Sequence, residues 1–209
     1  MIFKQIPIGS MANFAYIFGC DKTGDGALVD PAFDINKLLA ESKKAGLTIR
    51  YIFTTHTHFD HIGGHGEIIS QTAAKAVVHK LESSALKKKG ISNIIEVEDN
   101  DIIQVGNIEA KIIHTPGHTP GGICILLNNE KLITGDTLFI GDCGRTDLAG
   151  GSSRQLYESI EKKIKTLHDS IEIYPGHGYG RKNYSTVREQ KKSNPALMCK
   201  SLEEFEALP

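Results

Sequence analysis

The sequence predicts a single α+β domain spanning residues 1–209. Short β-branched and aromatic runs recur along the whole chain, which is the signal of strands. Two stretches, 34–45 and 152–167, instead carry apolar residues at the helical period. The two kinds of segment fall into two successive strand-and-helix blocks with no linker and no repeat between them, which suits strands forming a core that helices cover. Periodicity alone does not say whether those strands make one sheet or two. Hydrophobic residues at 40% and charged residues at 23% are the balance of an ordinary globular chain.

Taken in order, Ile2 to Ile8 and Phe14 to Gly19 read as strands, and Asp21–Gly26 as a turn. Ala27-Leu28-Val29-Asp30 is a third strand, ended by Pro31. Asp34 is placed to cap a helix through Ala45, with Ile35, Leu38 and Leu39 on one face and Gly46 as its stop. Tyr51 to Thr54 is a strand. A helix over His65–Ala74, a strand at Ala76–Val78 and a helix over Leu81–Lys89 follow. From Ile94 the chain is rich in strands again: Ile102-Ile103, Ile108 to His114, Gly122 to Leu127 and Lys131 to Thr134, the last two joined by a hairpin turn at Asn128-Asn129-Glu130. A helix begins at Ser152 or Ser153, with Leu156, Tyr157, Ile160, Ile164 and Leu167 on its buried face. Ile171 to Tyr174 is a final core strand, and the remainder reads as polar.

Several function classes are disfavoured by composition. A net charge of −1 gives no general attraction to nucleic acid or anionic lipid. No apolar run reaches membrane-spanning length. The apolar start, Met1 to Cys20, is broken by Lys4, Pro7, Gly9, Ser10 and Asn13, so a cytoplasmic protein is expected. Cys20, Cys124, Cys143 and Cys199 have no metal-site or disulfide spacing and read as free thiols without a catalytic role. Nothing in the sequence sets an oligomeric state.

The chemistry concentrates in Thr55-His56-Thr57-His58-Phe59-Asp60-His61, directly after a strand. Three imidazoles and a carboxylate so close together are costly to desolvate unless something satisfies them. A bound cation does so, and this donor set suits zinc, iron or manganese. Three further loops repeat the pattern of strand end, glycine and one ligand-type side chain: Pro116-Gly117-His118, Thr134-Gly135-Asp136 and Pro175-Gly176-His177.

These residues resemble the metallo-β-lactamase superfamily: His56, His58, Asp60 and His61 match its HxHxDH motif, and His118, Asp136 and His177 follow in its order. The resemblance implies an αββα sandwich of two mixed β-sheets flanked by helices, with the site at one edge. It implies two divalent metal ions, zinc first with iron or manganese as alternatives. His56, His58 and His118 would hold one ion, Asp60, His61 and His177 the other, with Asp136 bridging. Two ions about 3.5–4 Å apart need such a bridging anion. A metal-bound hydroxide would then attack the substrate, oriented by Asp60 as catalytic residue, with no serine or cysteine nucleophile.

Within the superfamily, Gly135–Phe139 and Cys143-Gly144-Arg145-Thr146-Asp147 are most similar to the glyoxalase II (hydroxyacylglutathione hydrolase) group. The implied activity is hydrolysis of a thioester or similar small acyl compound, a small-molecule thiol-derived substrate, with Arg145 as substrate-binding residue. An ion pair of Arg145 with Asp142 or Asp147 is its alternative role. The stretch after His177 is too short for the helical C-terminal domain of larger glyoxalase II enzymes. The loop at 143–147 and the tail Ser185–Pro195 also resemble persulfide dioxygenases, which hold one iron at the positions of His56, His118 and Asp136 and act on glutathione persulfide. Those relatives carry Ala-His-Asp around the last histidine, where this chain has Gly176-His177-Gly178. A non-catalytic metal-binding protein is a third class, less suited to seven ligands than to a closed set of four.

Overall fold

A computed structural model describes residues 1–208. Its strands form where apolar side chains can alternate between two buried faces. In the first half these are β1 (Ile2–Ile8), β2 (Asn13–Gly19), β3 (Asp25–Val29), β4 (Thr48–Thr54), β5 (Lys75–His79) and β6 (Ile94–Val97). They pair in that order, β1 to β3 antiparallel and β3 to β6 parallel. The second sheet takes β7 (Ile102–Val105), β8 (Ile108–His114), β9 (Ile123–Leu127), β10 (Lys131–Gly135), β13 (Glu172–Pro175) and β14 (Ser185–Thr186), in the order β14-β13-β10-β9-β8-β7. A small hairpin, β11 (Leu138–Phe139) with β12 (Asp142–Cys143), sits beside it. The strands therefore make two mixed sheets, the point that periodicity left open.

The sheets pack face to face. Tyr16, Phe18 and Phe53 of the first meet Ile112, Ile125 and Ile133 of the second in one buried cluster. Strand alternation sends Ile17, Leu28 and Ile52 to the opposite face, where α1 (Ile35–Lys44) and α3 (His65–Thr72) cover them with Leu38 and Ile68. Beyond α2 (Phe59–Ile62), α4 (Ser83–Lys88) closes a smaller cluster with Leu86. On the outer face of the second sheet, α5 (Ser153–Ser159) runs on as a π-helical turn, Ile160–Ile164, and buries Leu156, Ile160 and Ile164 against Leu126, Leu132 and Ile173. The layers are thus helix, sheet, sheet, helix, as the resemblance implies.

Two expectations need correction. Asp34 occupies the N-cap position of α1 but makes no cap hydrogen bond; its carboxylate accepts the Gly9 N–H at 2.9 Å instead, so it ties a loop rather than a helix end. The tail is also not simply polar. It forms α6 (Val187–Ser193), α7 (Pro195–Met198) and α8 (Leu202–Glu206), capped by Thr186, Asn194 and Ser201, and buries Val187, Leu197 and Phe205 beside α5. The 128–130 turn holds, with Asn128 and Asn129 both at positive φ, as a tight hairpin requires. No helix among the described residues is long and apolar enough to cross a membrane.

Candidate metal centre

The strands of both sheets deliver their loops to one edge, and backbone hydrogen bonds stitch the sheets together there. Ile123 N donates to Thr55 O at 2.9 Å, and Phe14 N donates to Gly176 O at 2.8 Å. All seven sequence-predicted ligand residues meet at this edge. His56 Nε2 and His118 Nε2 lie 3.1 and 3.0 Å from His58 Nδ1. Two ligands of a tetrahedral ion with bonds near 2.0–2.1 Å lie roughly 3.3 Å apart, so these three nitrogens already converge as ligands do. On the other side, His61 Nε2 and His177 Nε2 are 3.2 Å apart, and Asp60 Oδ2 is 3.5 Å from His177 Nε2. Each trio could hold a metal ion.

Asp136 lies between the trios. Its Oδ2 is 3.6 Å from His118 Nε2 and 3.4 Å from His177 Nε2, and its Oδ1 is 3.6 Å from His61 Nε2. Oδ1 is buried without a hydrogen-bond partner, a costly state for a carboxylate unless a cation completes it. The donor set and this orphaned oxygen both fit a divalent ion.

The rings are aimed through their second nitrogens, which fixes the tautomer and leaves the other lone pair free. His118 Nδ1 lies 2.7 Å from Arg145 O, His177 Nδ1 2.9 Å from Met11 O, and His61 Nδ1 3.0 Å from Asp30 Oδ2. Electrostatics divides the site. Burial, reinforced by neighbouring imidazoles, pushes the pKa values of His56 and His58 down and keeps them neutral. Burial acts in the same sense on His61, but Asp136, Asp30 and Asp60 outweigh it and raise it to about 9. His177 is raised by Asp136 against its burial. Burial opposes the charge of Asp136, yet His61, His177 and His56 hold its carboxyl well below the usual range. An ion entering the second trio would therefore have to displace a proton from His61.

Some functional groups escaped the sequence reading. Asp30 is buried and anchors His61 while accepting the Thr55 N–H at 2.8 Å. Its signal was present, a carboxylate at a strand end before proline, the same setting as the ligands. Asn13 donates to Asp60 Oδ2 at 3.1 Å, and Tyr179 stacks on the His177 ring at 4.8 Å. Neither is marked by any local pattern. Arg145 reaches the site through its carbonyl, while its exposed guanidinium makes a bidentate pair with Asp147, both distances 2.6 Å. The Cys143 thiol is pushed up to about 12 by burial and by Asp142, so it is no thiolate nucleophile.

The metallo-beta-lactamase superfamily model matches residues 9–177. The chain belongs to this superfamily. It is 35% identical over 207 residues to the persulfide dioxygenase ETHE1 of Homo sapiens, described as mitochondrial, covering 98% of this chain and 79% of that protein. It is 34% identical over 203 residues to a hydroxyacylglutathione hydrolase of Nitrosococcus oceani, covering 95% and 75%. A crystal structure of a metallo-beta-lactamase from Staphylococcus aureus superimposes with a TM-score of 0.90 at 34% identity, over 100% of this chain and 67% of that one. The superfamily chain is thus similar both to a dioxygenase and to a hydrolase, and uses divalent metal.

Proposed function

We propose that this chain is a dinuclear hydrolase of glyoxalase II type acting on a thioester or similar small acyl substrate. One observation carries the reading: the Asp136 carboxylate faces both ligand trios and keeps a buried oxygen unpartnered. On this reading His56, His58 and His118 hold one ion and Asp60, His61 and His177 the other, with Asp136 shared. Two such ions, zinc in the first instance, would supply a water with its pKa lowered to about 7 and a Lewis acid for a carbonyl. The chain supplies the rest. Asn13 fixes Asp60 Oδ2, the oxygen that faces His61 and His177, and so would hold the carboxylate in place to orient the attacking water. The exposed ring of Tyr179 extends a flat face beside His177 for a substrate to lie against. Arg145 binds a substrate carboxylate only by exchanging it for Asp147. The substrate class is a small thiol derivative, met in the cytoplasm.

A second reading, a mononuclear iron persulfide dioxygenase using His56, His118 and Asp136, is supported by the identity to the human enzyme over 98% of the chain. Metal-free protein loaded with zinc or iron separates the two, with metal counted per chain. Each form is given a glutathione thioester without oxygen and glutathione persulfide with it. Thioester cleavage by a two-zinc form is the expected result. Oxygen uptake by a one-iron form, with no thioester cleavage by any form, overturns the hydrolase reading, and neither activity leaves a metal-binding protein.

A further inference from the structure

The first trio is assembled from only two loops. His56 and His58 follow β4 on the first sheet, and His118 lies between β8 and β9 on the second. Glu82, between β5 and α4, touches both. One carboxylate oxygen, Oε2, accepts a hydrogen bond from the hydroxyl of Thr57, the residue between His56 and His58. The other, Oε1, accepts the backbone N–H of Gly121 at 3.1 Å, three residues after His118. Glu82 is itself buried, 8% exposed, and no cation pairs with it among the described residues. A carboxylate in that position is retained at a desolvation cost, which these two bonds offset.

The fit is close. A Cβ built on Gly121 would lie 2.5 Å from Glu82 Cγ, so only glycine lets the second loop come down onto this side chain. Glu82 is also held from below, its N–H donating to His79 O at 2.8 Å while its carbonyl accepts Ala85 N–H at 3.0 Å. The clamp is therefore rigid at its base and bonded at both tips.

We infer that Glu82 is a positioning residue that clamps the Thr57 loop to the Gly121 loop and so sets the convergence of His56, His58 and His118 on their ion. This rests on the reading of those three residues as ligands. Glu82 has no part in coordination; it acts through the 3.0 Å approach of His58 Nδ1 to His118 Nε2, whose loops it joins. Outer-shell partners of metal ligands are typically worth about 10–100-fold in metal affinity.

The test is cobalt(II) titration of the metal-free chain, following the visible ligand-field spectrum and competition with a chelator. Glu82→Leu, which removes both bonds, is expected to weaken binding at the first trio 10–100-fold and to alter the cobalt spectrum. Glu82→Gln is expected to restore both, because its amide can accept from Gly121 N–H and donate to the reversible Thr57 hydroxyl. Thr57→Val cuts one bond at a partly exposed site and serves if Glu82→Leu does not fold; it is expected to weaken binding by roughly 3–10-fold, within that range's square root. Affinity within twofold of the parent in Glu82→Leu, or in Thr57→Val where Glu82→Leu is unfolded, overturns the clamp alone. A parent chain that takes up no cobalt overturns the ligand reading together with it.

Discussion

A Cβ built on Gly176 would lie 2.3 Å from Asp136 Oδ1 and 3.1 Å from His61 Cε1. The backbone has no room to retreat, because Gly176 N donates to Gly135 O at 2.8 Å and its carbonyl accepts the Phe14 N–H at 2.8 Å. A methyl group there must therefore push the Asp136 carboxylate, and the oxygen it meets is the one that faces His61. Gly176→Ala is expected to weaken binding at the Asp60, His61 and His177 trio by about 10–100-fold while sparing the other trio. Metal analysis after dialysis would then fall from two ions per chain toward one. Uptake of two ions with parental affinity would show that the carboxylate has another way to move.

At the scale of elements, the tail is tied to the centre through α5. Ser152 N donates to Gly117 O at 2.8 Å, and Ser159 Oγ donates to Pro116 O at 2.7 Å, so the first turns of this helix hold the His118 loop. Phe205 of α8 packs against Tyr157 of α5, ring centroids 5.6 Å apart, and is 6% exposed. Phe205→Ala is expected to lower unfolding stability by about 3–5 kcal/mol, read by denaturant titration, with metal stoichiometry at 25 °C unchanged. A loss below about 1 kcal/mol would mean α8 is not part of the cooperative core. The sequence shows α5 clearly and the tail hardly at all, for a physical reason. Leu156, Ile160 and Ile164 repeat over several turns, whereas α6, α7 and α8 have seven, four and five residues with one or two buried apolar side chains each. No period can be read from so few. The candidate ligands were legible because they gather just after strands, four within His56–His61 and His118, Asp136 and His177 each next to a glycine. Asp30 stood in the same kind of setting and was passed over, whereas Asn13 and Glu82 carried no local mark, since each acts on a partner 25 to 47 positions away. Only the folded chain brings such pairs together.

Across the whole molecule, the candidate ligand set adds to the backbone hydrogen bonds that already join the two sheets at this edge. His56, His58, Asp60 and His61 hang from the first sheet, and His118, Asp136 and His177 from the second. Each trio draws on both, so an ion in either one bonds across the sandwich at the edge where the inner core ends. In the metal-free chain this edge holds a buried carboxylate oxygen without a partner and histidines of opposed charge preference, His56 pushed toward neutrality and His61 toward protonation. Burying these groups without an ion is costly, and unfolding scatters them and relieves that cost. Metal that binds only the folded chain adds about 4 kcal/mol when free metal exceeds its dissociation constant a thousandfold. For a chain of this size that corresponds to a rise in Tm on the order of 10 °C. Calorimetry of zinc-loaded and chelator-treated protein is expected to show this difference, with a single transition in both states because the two sheets share one core. Equal Tm values would mean that the ions do not bridge the sheets, and two separated transitions after chelation would mean that the sheets unfold independently.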